Sequence, residues 1–234
     1  MKGRQYGSVV ALYLLIIGVF ISLTYLGSTV TTVVAGMIPM DRNVTIVIDA
    51  GHGGEDGGAT SCSGVPESRY NLEIALRLND LFHLMGYRTV MIRTTDRSVY
   101  TQGETIAAKK VSDLRQRAKI VNETENALLI SIHQNTFSDS KYSGAQVFYA
   151  QSGEGETLAK QLQHALSQTV NPGSSRQAKP AEGIYLMKHI NCTGVLVECG
   201  FLSNSQEEMK LRKSDYQQNL CCVIAATTAE FLTK

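Results

Sequence analysis

The sequence has no surplus of charge of either sign. Lys and Arg total 22 against 21 Asp and Glu, a formal net charge of +1, too little to neutralise a phosphate backbone. A nucleic-acid partner is therefore excluded. Cysteine in metal-binding spacing is also lacking: the five cysteines are odd in number and form no C-x-x-C pair, which argues against a full disulfide framework and against a cysteine zinc knuckle. Cys62, Cys192, Cys199, Cys221 and Cys222 are read instead as including several small buried apolar residues. No G-x-S-x-G elbow, Walker A loop, G-x-G-x-x-G turn after a strand or H-E-x-x-H helix occurs. A serine esterase, a nucleotide enzyme and a helical zinc protease each lose their key parts. There is no internal repeat and no low-complexity stretch. With 43% hydrophobic and 18% charged residues in 234, disorder is excluded and one domain, or at most two small ones, is expected.

Charge is absent altogether between Gln5 and Met40, after Lys2 and Arg4. Within that stretch Val9 to Leu26 is an apolar run interrupted only by Gly18, Ser22 and Thr24, near the roughly 20 residues that a bilayer core requires of a helix. It has no polar face, so a buried core helix is a poor alternative. Val33-Val34-Ala35 followed by Gly36 offers a small-residue cleavage pattern, but the run exceeds the usual signal-peptide core of about 7 to 15 residues, and an anchor is preferred to a cleaved signal. Either way the two N-terminal cations stay inside and the domain is exported across the membrane. Residues 1–40 are thus expected to be a membrane-directed segment and linker, and 41–234 the functional domain. That domain, with 20 basic and 21 acidic residues, does not recruit its substrate by a strong field.

From Asp41 onward short β-branched runs alternate with longer amphipathic stretches. Strands are expected at Val44–Asp49, Tyr87–Arg93, Ala127–His133, Gly144–Ala150, Ile184–Met187 and Val195–Val197, and helices at Asn71–Met85, Leu114–Asn122, Glu156–Val170 and Asp215–Leu232. Gly86 stops the first helix, and Asn171-Pro172-Gly173 ends the third. The alternation predicts an α/β fold, a mainly parallel twisted sheet of about six strands with helices on both faces.

The chemistry-bearing residues fall at strand ends, where ligands gather in open α/β sheets. Asp49-Ala50-Gly51-His52-Gly53-Gly54-Glu55-Asp56-Gly57-Gly58 closes the first strand with a glycine-rich loop that leaves one imidazole uncovered. Ser131-Ile132-His133-Gln134-Asn135 and Val197-Glu198-Cys199-Gly200 close two others. Glu67 adds a second carboxylate at the start of the first helix. Two histidines and a carboxylate are the ligand set of a catalytic zinc with one position open for water. His83, His164 and His189 are ordinary helix or loop residues. An acidic residue in a first helical turn is also favoured by the helix dipole alone, whereas a carboxylate ending the apolar strand at Glu198 is costly unless it faces a cleft, a cation or a reacting water. Spacing alone leaves open which of Glu67 and Glu198 is ligand and which is base.

At these residues the sequence resembles the zinc-dependent N-acetylmuramoyl-L-alanine amidases of the amidase_3 type, over essentially all of 44–234. The matching blocks are Ile48 to Gly54, Glu67 followed by Asn71-Leu72, Arg93-Thr94-Thr95-Asp96, Leu114-Arg115 with Arg117, Ser131 to Asn135, and Val197 to Asn204. Ser143-Gly144-Ala145-Gln146 and Gly183 to Met187 resemble most closely the spore-cortex, CwlD-like branch. Two positions depart from the family pattern: Gln134 stands where a small residue is usual, and Ser68 where lysine commonly follows the glutamate.

The resemblance implies one Zn²⁺ held by His52, Glu67 and His133, with Glu198 as general base. The implied substrate is peptidoglycan, cut at the amide between the lactyl group of N-acetylmuramic acid and L-alanine, in spore cortex synthesis. A wall-binding protein with a dead site, and a zinc peptidase acting on another wall amide, are the alternatives. Some relatives plug their own zinc groove with an added helix, but Glu156–Val170 is needed here to cover the sheet. Control by a regulatory protein partner or by timed expression is expected instead, with the exposed charged stretch Lys210 to Asp215 as a candidate contact.

Overall fold

The computed structural model describes residues 43–233. The expected membrane-directed segment lies outside them, and no helix among the described residues is long and apolar enough to cross a membrane. In chain order the elements are β1 (Thr45–Ala50), α1 (Glu67–Leu84), β2 (Arg88–Met91), α2 (Ile106–Glu123), β3 (Ala127–Asn135), β4 (Gln146–Tyr149), α3 (Gly155–Thr169), β5 (Lys179–Pro180), α4 (Tyr185–His189), β6 (Thr193–Phe201), α5 (Ser205–Leu211) and α6 (Ser214–Leu232). They form one six-stranded sheet in the order β2-β1-β3-β6-β4-β5. β2, β1, β3 and β6 run parallel, while β4 is antiparallel to β6 and parallel to β5. The sheet is therefore mixed, with a parallel centre.

The six residues of β1 are all buried, as a central parallel strand covered on both faces requires. Successive side chains alternate between those faces. Ile46, Ile48, Ile130, Ile132, Val195 and Val197 pack beneath α1, α3 and α6, whereas Val47, Leu129 and Leu196 meet Ala118 and Val121 of α2 and Leu186 and Met187 of α4. Cys199 and Cys221 are buried in the first layer, as small apolar residues, while Cys62 and Cys222 are exposed.

Four elements differ in kind or extent from the sequence expectation. Ile184–Met187 is not a strand: Gly183, at φ 80°, turns the chain into the short helix α4, whose Lys188 N–H donates to the Ile184 carbonyl at 3.2 Å. The place beside β4 is taken by the two-residue strand β5, and His189 ends a helix rather than lying in a loop. α2 begins eight residues before the expected Leu114, because the Thr105 hydroxyl caps it by accepting from the Ala108 N–H at 3.2 Å. α5, not foreseen at all, is capped by Asn204, whose side chain accepts from the N–H groups of Gln206 and Glu207 at 3.0 and 3.2 Å.

α3 lies flat on the sheet with Leu158, Ala159, Leu162 and Leu166 fully buried, so it is part of the core and not a detachable plug. Leu162→Ala is accordingly expected to lower stability by about 2–5 kcal/mol, read as a shift in the urea midpoint. A change under about 0.5 kcal/mol, the usual range for surface positions, would mean that α3 is held loosely.

Candidate metal centre

The four site residues predicted from sequence converge at the carboxyl end of the parallel strands. His52 follows β1, Glu67 opens α1, and the register pairs His133 of β3 with Glu198 of β6. Ligand-type atoms of His52, Glu67 and His133 lie within 4.8 Å of one another. The two imidazole rings sit edge to face with centroids 5.0 Å apart. His52, His133 and Glu198 open onto a cleft of about 190 Å³ that is also lined by Leu114 of α2 and by Ile184 and Leu186 at α4.

The approach is close because glycine leaves room for it. A Cβ on Gly51 would stand 2.2 Å from His133 Nε2, and one on Gly58 2.6 Å from Glu67 Oε2 and 2.7 Å from His52 Cδ2. His52 itself adopts φ 60°, a left-handed conformation that a non-glycine residue takes only when its surroundings impose it. Two buried arginines impose it. Arg93 donates from Nε to the Ala50 carbonyl at 2.7 Å and from Nη2 to the carbonyls of Gly51 and Ser68 at 3.0 and 2.8 Å. Arg117 donates from Nη2 to the His52 carbonyl at 2.7 Å and from Nη1 to the Ala50 carbonyl at 3.0 Å. It also forms ion pairs with Asp49 and Asp113, each at 2.5 Å.

The two carboxylates live in opposite environments. Glu67 Oε1 accepts from Asn71 Nδ2 and from the Gln134 N–H, both at 3.1 Å, and lies 2.9 Å from His133 Nδ1. Its Oε2 accepts from the Ala59 N–H at 3.0 Å and lies 3.4 Å from His52 Nε2. Burial alone would raise the Glu67 pKa, but the hydrogen bond and charge of His133, together with His52, hold it at about 2. Glu198 is half-buried, and its enclosed Oε2 has no hydrogen-bond partner among the described residues. Burial pushes its carboxyl up to about 7, with His133 drawing it down and Glu67 adding to the rise.

Sequence reading missed the residues that hold this group in place. Asp56 stands 3.0 Å from His52 Nδ1, which fixes the ring and leaves Nε2 turned toward Glu67. Asn71 bridges Glu67 and the Gly51 carbonyl, at 3.1 Å each. Arg93, Arg117 and Asn71 stood within the matching blocks, but nothing in their spacing revealed what they bind. Gln134, which departs from the family pattern, points away from the cleft, its Nε2 lying 3.3 Å from Asn71 Oδ1. Ser68 is buried and gives its carbonyl to Arg93. His83, His164 and His189 stay outside the cluster.

Fold and site together define a class, a mixed α/β hydrolase with a His/Glu/His group able to hold a metal. The chain belongs to the N-acetylmuramoyl-L-alanine amidase family Amidase_3, whose profile matches residues 46–229. It is 38% identical over 199 residues to the germination-specific N-acetylmuramoyl-L-alanine amidase of Bacillus subtilis, covering 84% of this chain and 83% of that one. Among solved structures it resembles the CwlD amidase of Clostridioides difficile, solved in complex with the GerS lipoprotein, with a TM-score of 0.78 and 36% identity over 81% of this chain and 98% of that one. An N-acetylmuramoyl-L-alanine amidase from Clostridium difficile 630 follows with a TM-score of 0.71 and 26% identity, over 82% and 98% of the two chains. The chain is an enzyme of this amidase type, on the CwlD-like branch.

Arg117 carries the heaviest structural demand in the site. Asp49, whose pKa burial would raise, is held below its usual 3.8 by Arg117 first, then by His133 and the Ser131 hydroxyl. A depressed carboxyl stabilises the fold above its unfolded pKa, and that stability is lost as pH falls through the folded value. In Arg117→Gln the buried Asp49 charge is left without its cation, an expected loss of about 3–5 kcal/mol. The acid-unfolding midpoint, followed by circular dichroism, should move upward in pH. An unchanged midpoint would mean that the pair does not carry the loop.

Proposed function

We propose that the chain is a zinc-dependent hydrolase of the amide between the lactyl group of N-acetylmuramic acid and L-alanine of the stem peptide, acting in spore cortex synthesis. The observation that carries the reading is the contrast between Glu67, saturated with hydrogen bonds beside two histidines, and Glu198, half-buried on the strand next to His133 with an enclosed Oε2 that no described residue partners. His52, Glu67 and His133 supply the two nitrogens and one carboxylate that suit zinc, a three-ligand set that would leave a fourth position for water or substrate. Zinc at this site would supply Lewis acidity to the scissile carbonyl and to a water. Glu198, on the strand beside His133 and facing the same cleft, takes a proton from the attacking water and passes it to the amine that leaves. Asp56 keeps the His52 ring oriented, and the walls at Leu114, Ile184 and Leu186 limit the access of bulk water.

The cellular setting follows the relatives. The B. subtilis relative is germination-specific by name, and removal of stem peptides would precede conversion of muramic acid to its lactam, with a separate deacetylase needed. Residues 1–40 would direct the catalytic domain, 41–234, across the cytoplasmic membrane to the forespore wall, as an anchor or a cleaved signal. Because C. difficile CwlD was solved with a lipoprotein, and because α3 is tied into the core, control by a protein partner is favoured over a built-in plug. A wall-binding protein with a dead site would have no use for an unpartnered carboxylate held next to the cluster.

His52→Ala and His133→Ala are each expected to lose bound zinc and turnover together, measured by metal analysis and peptide release. Glu198→Gln should retain zinc while turnover drops at least about 100-fold. Zinc lost from that variant would make Glu198 a ligand. Product analysis on purified peptidoglycan separates the rival readings: free stem peptides with peptide-free glycan support the amidase, whereas intact wall, or cleavage within the stem, contradicts it.

A further inference from the structure

We infer that a basic trough beside the Glu198 strand binds a carboxylate on the peptide half of the substrate, and that Arg176 is the residue that reads it. The inference rests on the amidase reaction proposed above and concerns a surface that the reaction itself does not use.

The sheet register sets the geometry. His133, Glu198 and Gln146 are cross-strand neighbours on β3, β6 and β4, so one row runs from the histidine through the proposed base to a glutamine. Gln146 is buried, and its Oε1 accepts from Arg176 Nη1 at 3.4 Å. The guanidinium is fixed from two further sides. Its Nε donates to the Ser143 carbonyl at 2.9 Å, and its plane lies over the buried Phe201 ring with 4.7 Å from Cζ to the centroid. Yet Arg176 forms no ion pair among the described residues, and its Nη2 makes no hydrogen bond there. A guanidinium held by three neutral contacts, half-buried and without a counter-ion, is a preorganised fork for a planar anion.

The space in front of it fits that use. The trough has a volume of about 760 Å³, and its lining includes Arg176 and Lys210 together with Lys141, whose charge is paired with Asp139 at 2.8 Å. The one acidic residue lining it, Glu207, is buried and spends its two oxygens on the Gly144 and Phe201 N–H groups, each at 2.9 Å. The position also has the right sense. In the proposed reaction Glu198 delivers its proton to the leaving amine, so the departing peptide lies on the Glu198 side of the centre. That is the flank formed by β6 and β4. A peptide leaving there ends in at least one free carboxylate, and Arg176 stands one side chain beyond the Glu198 row.

The test compares two synthetic substrates, N-acetylmuramoyl-L-alanyl-D-glutamate with both carboxylates free and the same compound with both as amides. The zinc-loaded wild type should favour the acid by roughly 10- to 100-fold in kcat/KM, mostly through KM, the usual effect of one charge-assisted hydrogen bond. In Arg176→Gln that preference should fall to within about 3-fold, while Arg176→Lys, which keeps the charge but not the fork, should retain an intermediate preference. Lys210→Gln should reduce the preference less than Arg176→Gln. Equal acid-to-amide ratios in wild type and Arg176→Gln, or no preference in wild type, would overturn the inference. So would an undiminished, wild-type acid-to-amide ratio in Arg176→Lys if Arg176→Gln proved too unstable to assay. Failure of the underlying reading looks different: the wild type would then release no free N-acetylmuramic acid from either compound by mass spectrometry.

Discussion

The site depends on two guanidinium groups that take up the carbonyl oxygens at the exit of β1. Ala50, Gly51 and His52 leave the sheet ladder in a buried, tightly turned stretch, and buried carbonyls must find donors. Arg93 and Arg117 supply them from opposite sides. Their reach lets His52 hold a left-handed backbone, which throws its imidazole over the strand ends toward Glu67 and His133. The cost of burying two cations is met partly by the Asp49 and Asp113 carboxylates. Such a pair is better understood as specifying a conformation than as adding net stability. Here the specified conformation is that of the loop bearing the first histidine.

Once that loop is set, the environment divides two carboxylates into two kinds. Glu67 is ringed by donors from α1, the Ala59 backbone, the Gln134 backbone and two imidazoles, and stays ionised far below neutral pH. Glu198, three residues before the end of β6, receives no donor to Oε2 among the described residues, and burial lifts it to about 7. Pairs of titratable groups driven apart in this way mark acid and base assignments in hydrolytic sites. The proposed division of labour, Glu67 for the metal and Glu198 for the proton, uses that difference.

Much of this was legible in the sequence because strand ends and glycine-rich loops are local signals. Buried β-branched runs located β1, β3 and β6, and the fold brings the residues that followed them, His52, His133 and Glu198, to one cleft. What remained hidden depends on contacts between distant residues. Arg93 and Arg117 reach carbonyls more than 40 residues away, and no spacing rule reports a carbonyl's need for a donor. The first turns of α2 carry exposed Ile106 and Val111, so their apolar pattern was misleading and the Thr105 cap set the start instead. Ile184 to Met187 read as a strand because four apolar residues in a row do not distinguish a buried strand from a buried helical turn. The glycine before them decided it. Asp56 was within the quoted loop, but only the fold reveals that it faces the His52 ring.

The central claim is that the β1 loop, locked by the two arginines, presents His52, Glu67 and His133 as one metal centre with Glu198 beside it but uncoordinated. Anomalous diffraction at the zinc edge, from crystals of the zinc-loaded protein, tests this most directly. The account predicts one strong peak, about 2.0–2.2 Å from a His52 nitrogen, a His133 nitrogen and a Glu67 oxygen, with both Glu198 oxygens outside bonding distance. A peak bonded to Glu198, or one that leaves Glu67 free, would contradict it.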